Sequence, residues 1–240
     1  MTVEWAVGAL VVAAASFVMG LAGFGIGLVS LAFLPFIMSP VTAVVLVTLY
    51  ALVFAAVVFV PVRRAFTPRP VAALLAGTVL GTLPGVWVLA TVPGGVLARL
   101  IGAVLVAVVL MEWLGRFPRR LHGPGWGLGA GFLGGVIGGA VGTPGPPVIV
   151  YATTQGWEPR TIKANLQGFF VVNQAVILAG YWWAGLLTAE VWRPAAAFAV
   201  PALAGVGAGI ALFGRVDPVR FRRIIFALLL VSGLALLTRG

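Results

Sequence analysis

The chain has 240 residues, 62% of them hydrophobic and only 8% charged, with a formal net charge of +10 and no cysteine. Soluble domains carry roughly 25% charged residues, so the composition excludes a water-soluble globular protein, and the missing thiols exclude disulfide and thiolate chemistry. The arginines stand in short clusters between apolar runs (Arg63, Arg64 and Arg69; Arg116, Arg119 and Arg120; Arg215, Arg220, Arg222 and Arg223), the pattern of cytoplasmic loops and not the basic stripe of a nucleic-acid binder.

A spanning helix needs about 20 apolar residues, and no Asp, Glu, Lys or Arg falls between Glu4 and Arg63 or within 70–98, 121–157, 164–189 and 194–214. Residues 3–38 form the first stretch. As one helix it would be about 50 Å long against a hydrocarbon core of about 30 Å. The sequence predicts that it breaks, tilts or turns back near Gly23, Gly25 and Gly27, ending at Pro35 and Ser39-Pro40. It lacks the basic n-region of a cleavable signal and is expected to be retained. Spans are predicted over 41–61, 70–92 and 95–114. A basic loop, 115–123, leads to a second long stretch over 124–155, and further spans cover 160–183, 192–213 and 219–238. Trp113 and Trp126 flank the basic loop, and Trp182, Trp183 and Trp192 flank the turn around Glu190, as an aromatic belt at headgroup level would. The expected class is an all-α polytopic membrane protein of about eight transmembrane segments, multi-pass in a bacterial inner membrane.

The glycine-dense element Gly20-Leu-Ala-Gly23-Phe-Gly25-Ile-Gly27 has a counterpart in Gly135-Val-Ile-Gly138-Gly-Ala-Val-Gly142. At an offset of 115, Gly20, Gly23 and Gly27 match Gly135, Gly138 and Gly142; at 119, Pro40 and Thr42 match Pro159 and Thr161; at 124, Gly81, Gly85 and Arg99 match Gly205, Gly209 and Arg223. The ordered matches imply two homologous halves, residues 1–114 and 124–240, joined by 115–123. Eight simple spans would make the halves parallel and put Arg215–Arg223 opposite the other basic clusters. Folding back both long stretches gives inverted halves with all three clusters on the cytoplasmic side, the arrangement that fits the positive-inside rule.

Matched Gly/Pro-interrupted segments point to the binding site of a duplicated transporter. Irregular backbone at membrane depth survives only when buried in protein or lining a cavity, and the amides at a half-helix start suit an anion. Candidate binding residues are therefore Gly23, Gly25, Gly27 and Ser30 in the first break, and Gly142, Thr143, Pro144 and Gly145 in the second. On the span starting near 160, Lys163, Gln167, Gln174 and Tyr181 lie within about 40° of one another, with Asn165 and Asn173 off that stripe; Thr48 corresponds to Gln167 through the repeat. Lys163, Gln167, Gln174, Asn165 and Thr48 join the candidates. For Lys163, Arg99 and Arg223 snorkelling to the interface is the favoured account, with anion attraction at the cavity mouth the alternative for the two arginines. Gly77, Gly81, Gly85, Gly205, Gly207 and Gly209 read as helix-packing positions. His122 receives no role. No metal site, cofactor or catalytic triad is suggested, and the chain is not expected to be an enzyme.

Phe17-Val-Met-Gly-Leu-Ala-Gly-Phe-Gly-Ile-Gly27, Gly134-Gly-Val-Ile-Gly-Gly-Ala-Val-Gly-Thr-Pro-Gly-Pro-Pro147 and Arg160-Thr-Ile-Lys-Ala-Asn165 resemble the TauE/SafE family of membrane anion transporters over essentially the whole chain. The first element departs from the family in having Phe24 and Ile26 between its glycines. The resemblance implies seven or eight spans from a duplicated unit, and export or uptake of sulfite, sulfonates, sulfoacetate or related anions. The expected function is a secondary transporter working by alternating access at a midplane site between the repeats. A passive anion channel and a non-transporting membrane partner are the alternatives. Expected partners are a small anion and the lipid bilayer; a coupling ion (H+ or Na+) is not readable, and a homodimer is left open.

Overall fold

The computed structural model describes residues 3–115, 121, 123–212, 215 and 217–238. The Arg116–Arg120 segment and His122 therefore lie outside the described residues. Among those described there are eleven α-helices and no strand: α1 (Val3–Ala22), α2 (Ile26–Phe33), α3 (Pro40–Phe59), α4 (Pro68–Thr91), α5 (Gly94–Leu114), α6 (Pro124–Val141), α7 (Gly145–Thr153), α8 (Pro159–Trp183), α9 (Ala189–Ala197), α10 (Ala199–Ala211) and α11 (Pro218–Thr238). Five of them open on proline, whose fixed φ suits the first helical position and whose missing N–H is not needed there. Six helices (α1, α3 with its following turn, α4, α5, α8 and α11) are long and apolar enough to cross a membrane. The α9–α10 pair, bent by 51°, makes a seventh. The chain is an all-α polytopic membrane protein.

The helices gather into two compact units, and each unit draws on both halves of the sequence. One holds Met1–Val47, Val92–Arg116 and Leu187–Gly240; the other holds Thr48–Thr91 and Phe117–Leu186.

In the first unit α1 packs on α10 and α5 on α11. A Cβ on Gly205 would strike the carbonyl of Ala13, and one on Gly209 that of Phe17, while Gly20 faces Val206, Gly209 and Ile210. The contacts advance together along both helices, so α1 and α10 run parallel with their backbones touching. Helices α5 and α11 run antiparallel. Gly102 meets Gly233 and Leu236 near one end, and the Arg222 guanidinium pairs with the Glu112 carboxylate near the other. After α1 the chain breaks at Gly23–Gly25 and α2 turns back, bringing Ile37 against Gly8.

In the second unit α4 and α6 form the closest pair. Gly77, Gly81 and Gly85 face Leu128, Phe132 and Val136 in that order, and Gly131, Gly135 and Gly139 face Leu74, Thr78 and Val86, so these helices also run parallel. Helix α8 lies parallel to α4, since Thr67 meets Asn165, Thr78 meets Asn173 and Val86 meets Gly180. Helix α7 runs back along α6: Pro144 touches Gly138, Val148 touches Gly134, and Gln155 Nε2 donates to the Leu121 carbonyl at 2.7 Å. Both long stretches are thus broken, and both fold back on themselves. Val71, Leu74, Val148, Tyr151, Phe169 and Phe170 form the buried core under these helices.

The two parallel seams share one register. Gly77 and Gly81 meet Leu128 and Phe132; Gly205 and Gly209 meet Ala13 and Phe17. Gly135 faces Thr78, Gly81 and Thr82; Gly20 faces Val206, Gly209 and Ile210. Between α1 and α6 the matching positions differ by 115, as the sequence suggests. Between α4 and α10 they differ by 128, about one helical turn more than the 124 obtained by aligning glycines alone.

Leucine at Gly205 should therefore cost more than about 3 kcal/mol through overpacking against backbone, whereas leucine at Gly207, which faces open space two residues away, should be tolerated. Thermal unfolding of the two purified variants in detergent distinguishes them. Equal melting temperatures would contradict the seam.

Candidate functional site

Both chain breaks are glycine-made. Gly23 and Gly25 have φ of 79° and 101°, and Gly142 has φ of 67°, a left-handed backbone that costs other residues roughly 1–2 kcal/mol. Each closes its helix with an amide bond, Gly23 N–H to the Met19 carbonyl at 2.7 Å and Gly142 N–H to the Gly138 carbonyl at 2.8 Å.

The first half-site belongs to α2. Gly25 caps the helix, and its first-turn amides are those of Ile26, Gly27 and Leu28, which have no acceptor within a helix. Their dipoles favour negative charge at this terminus. Ser30, on the next turn, and Ser16, on α1, are both fully buried, and neither hydroxyl has a hydrogen-bond partner among the described residues.

The second half-site is built differently. Pro144 caps α7, Gly145 opens it, and Pro146 and Pro147 follow. Prolines carry no N–H, so this terminus offers few amides to an anion. That also spares it unpaired donors in hydrocarbon. Side chains take over. Thr143 is buried with an unpartnered Oγ1; Gln174 on α8 is buried with an unpartnered Oε1; Thr82 Oγ1 and Asn173 Nδ2 are likewise buried and unpartnered. At Gly138 a methyl would meet both Pro144, which follows Thr143, and Ile177, one turn along α8 from Gln174. Gly180, a further turn on, faces Thr82 across the seam with α4. An unpaired buried polar atom costs about 1–3 kcal/mol, so four in one region of a packed bundle mark a place built for polar company.

The stripe on α8 is buried as spaced: Gln167, Gln174 and Tyr181 all face inward, and so do Asn165 and Asn173. Tyr181 is committed to structure. Its hydroxyl reaches the Gly139 and Gly138 carbonyls at 2.8 and 3.2 Å, and Thr48 hydrogen-bonds to it in turn. This serves the Gly139 carbonyl at the α6 terminus and gives the Gly138 carbonyl a second donor beside the Gly142 amide. Asn165 is also engaged. Its Oδ1 accepts from the Thr67 amide at 2.8 Å and its Nδ2 donates to the Thr67 hydroxyl at 2.8 Å, pinning the residue that precedes α4. Lys163 is exposed on the first turn of α8, and Arg99 and Arg223 are exposed on α5 and α11.

Every buried polar residue among those described is a Ser, Thr, Asn or Gln. The described residues hold no group of three potential metal ligands. Sequence reasoning passed over Ser16 and Thr82, since a lone hydroxyl in an apolar run carries no periodic signal. It also missed a cleft of about 250 Å³ in the first unit, where Glu4, Trp5, Thr42, Glu190, Arg193 and Phe198 meet.

Residues 8–236 match the family described as sulfite exporter TauE/SafE, which covers both breaks and every spanning helix. The chain belongs to this family. No curated protein and no solved structure matches it. Membership makes the chain a membrane transporter of sulfite or related anions. The two folded-back elements of this TauE/SafE chain have unlike chemistry, one rich in backbone donors and one in side-chain hydroxyls and amides.

In this TauE/SafE chain the Asn165–Thr67 clamp has a testable cost. Asn165→Ala strands the Thr67 amide and should lower stability by about 1–2 kcal/mol, read as a drop in melting temperature. Retention of the wild-type melting point would show that Thr67 finds another partner.

Proposed function

We propose that this protein is a secondary transporter of small sulfur oxyanions, sulfite and simple sulfonates among them, which uses the α2 and α7 termini as its two binding elements and exposes them alternately to either side of a bacterial inner membrane. The observation that supports this most directly is the pair of re-entrant breaks in a sulfite-exporter chain, each beside buried hydroxyls or amides with no partner. Within the first unit the Ile26, Gly27 and Leu28 amides would meet an anion's charge, and within the second Thr143 and the Gln174 amide would meet an anion's oxygens. Gln167 extends the second element along α8. Asn165, Thr48 and Tyr181 hold these groups in place.

Inverted topology supports alternation, and the helix directions favour it. In the second unit the parallel α4, α6 and α8 all start at one end, and their approaches carry Arg63, Arg64 and Arg69, then Arg116–Arg120, then Arg160 and Lys163. In the first unit the Glu112–Arg222 pair sets the start of α11 beside the end of α5, from which the chain enters that same Arg116–Arg120 segment. All basic clusters then face the cytoplasm. Helix α10 leads into α11 and so ends at the cytoplasmic side, as does its parallel partner α1. Helix α6 begins there. The positive-inside rule supports reading halves 1–114 and 124–240 as inverted duplicates.

Purified protein in liposomes should show saturable flux of sulfite when tested beside sulfoacetate, taurine, aryl sulfonates and dicarboxylates, and Thr143→Val should reduce that flux about tenfold, the loss of one charged hydrogen bond. Non-saturable current would instead indicate a channel; no flux of any anion from folded protein would refute transport. The cysteine-free chain makes topology equally direct. Single cysteines at Arg64 and Arg215 should react with an impermeant thiol reagent only from the cytoplasmic side, and one at Glu190 only from outside. Labelling of Arg215→Cys from outside would overturn the inverted arrangement.

A further inference from the structure

Among the described residues, the polar interior holds no charged side chain that could neutralise a doubly charged ion. All twelve buried polar residues among those described are neutral (Ser16, Ser30, Thr42, Thr48, Thr78, Thr82, Thr143, Asn165, Gln167, Asn173, Gln174 and Ser232). The described charged side chains are exposed, apart from half-buried Glu112 in its pair with Arg222. Electrostatic desolvation grows with the square of the charge, so a dianion costs about four times a monoanion to bring to such a site. A neutral lining selects for the smallest charge the substrate can adopt.

The second half-site adds a chemical preference. The Gln174 amide oxygen is 97% buried by residue and accepts from no group in its surroundings. A carbonyl oxygen can only accept, so a bare oxyanion must turn to the Gln174 Nε2 donors and leaves Oε1 unpaired, whereas a proton-bearing oxyanion can donate to Oε1 directly. The Thr143 hydroxyl, equally buried, can donate or accept. An oxyanion that keeps one proton satisfies both: its O–H donates to Gln174 Oε1 while its other oxygens accept from Thr143.

We infer that Thr143, beside the Pro144–Gly145 turn that packs on Phe170 and Ile177 of α8, and Gln174, between those two residues on α8, make this transporter selective for the singly charged, proton-bearing form of its substrate, so that sulfite crosses as hydrogen sulfite and brings the coupled proton with it. The inference rests on the transport reading above and deepens it. No titrating side chain takes part. Hydrogen sulfite binds on one side, crosses with its O–H intact, and on release ionises to sulfite and a proton according to the pH there. A sulfonate, with a single permanent charge and no proton, satisfies the charge condition and leaves Gln174 without a donor.

The test uses proteoliposomes at fixed total sulfite, with protein-free vesicles subtracted and an entrapped pH dye. Above the second ionisation of sulfurous acid, initial sulfite flux should fall about tenfold per pH unit, following the hydrogen sulfite fraction, and one proton should appear in the lumen per sulfite. Methanesulfonate flux should be flat in pH and leave lumenal pH unchanged. Gln174→Leu should cut sulfite flux about tenfold and methanesulfonate flux by a clearly smaller factor, with the folded state checked by size exclusion. Sulfite flux that rises or stays level with pH, or that requires sodium, overturns the inference while leaving transport intact. Flux of neither anion overturns the transport reading itself.

Discussion

Hydrocarbon contains no water to satisfy a loose amide, and each unsatisfied backbone group there costs several kcal/mol. A chain that interrupts its helices at membrane depth must therefore bring a partner or remove the need for one. This protein does both. The left-handed glycines let the terminal amides of Gly23 and Gly142 fold back onto Met19 and Gly138. Tyr181 serves the Gly138 and Gly139 carbonyls, and three prolines around the α7 start leave few donors to satisfy. Among the described residues, the buried side-chain atoms left without a partner are all Ser or Thr hydroxyls or Asn and Gln amides.

The second constraint is distance. Glycine at Gly81, Gly135, Gly209 and Gly20 lets helices touch backbone to backbone, where association without a hydrophobic drive depends on close packing. These seams are where α4, α6 and α8, and α1 and α10, acquire a fixed register. They hold Thr82 and Asn173 on one face of the α8 bundle and Gln174 beside the α7 turn.

Much of this was legible in the residues. Pro-initiated and Gly-terminated apolar runs placed the helix ends within a few residues, because proline and glycine act on the local backbone alone. Both breaks were legible for the same reason. The α4–α10 register was not: a glycine-rich sequence aligns with itself at several offsets, and only the carbonyls opposite Gly81 and Gly209 choose between them. The fate of individual polar residues was also hidden. Asn165 and Gln174 are both amides buried on α8, yet one is spent on Thr67, 98 positions away, and the other's carbonyl oxygen has no partner. Periodicity reports which face is buried. It does not report what waits there.

The mixing of halves in each unit bears on how the protein is made. Helix α1 emerges from the ribosome first, but the helix that fills its glycine face, α10, is nearly the last. Until some 190 further residues have been inserted, α1 sits in the bilayer with an unoccupied groove open to lipid or to any small-residue helix nearby. Helices α4 and α6, by contrast, meet almost at once. Assembly thus has a built-in order, with the second unit closing early and the first kept waiting, and the waiting groove is the natural point for an insertase or membrane chaperone to guard.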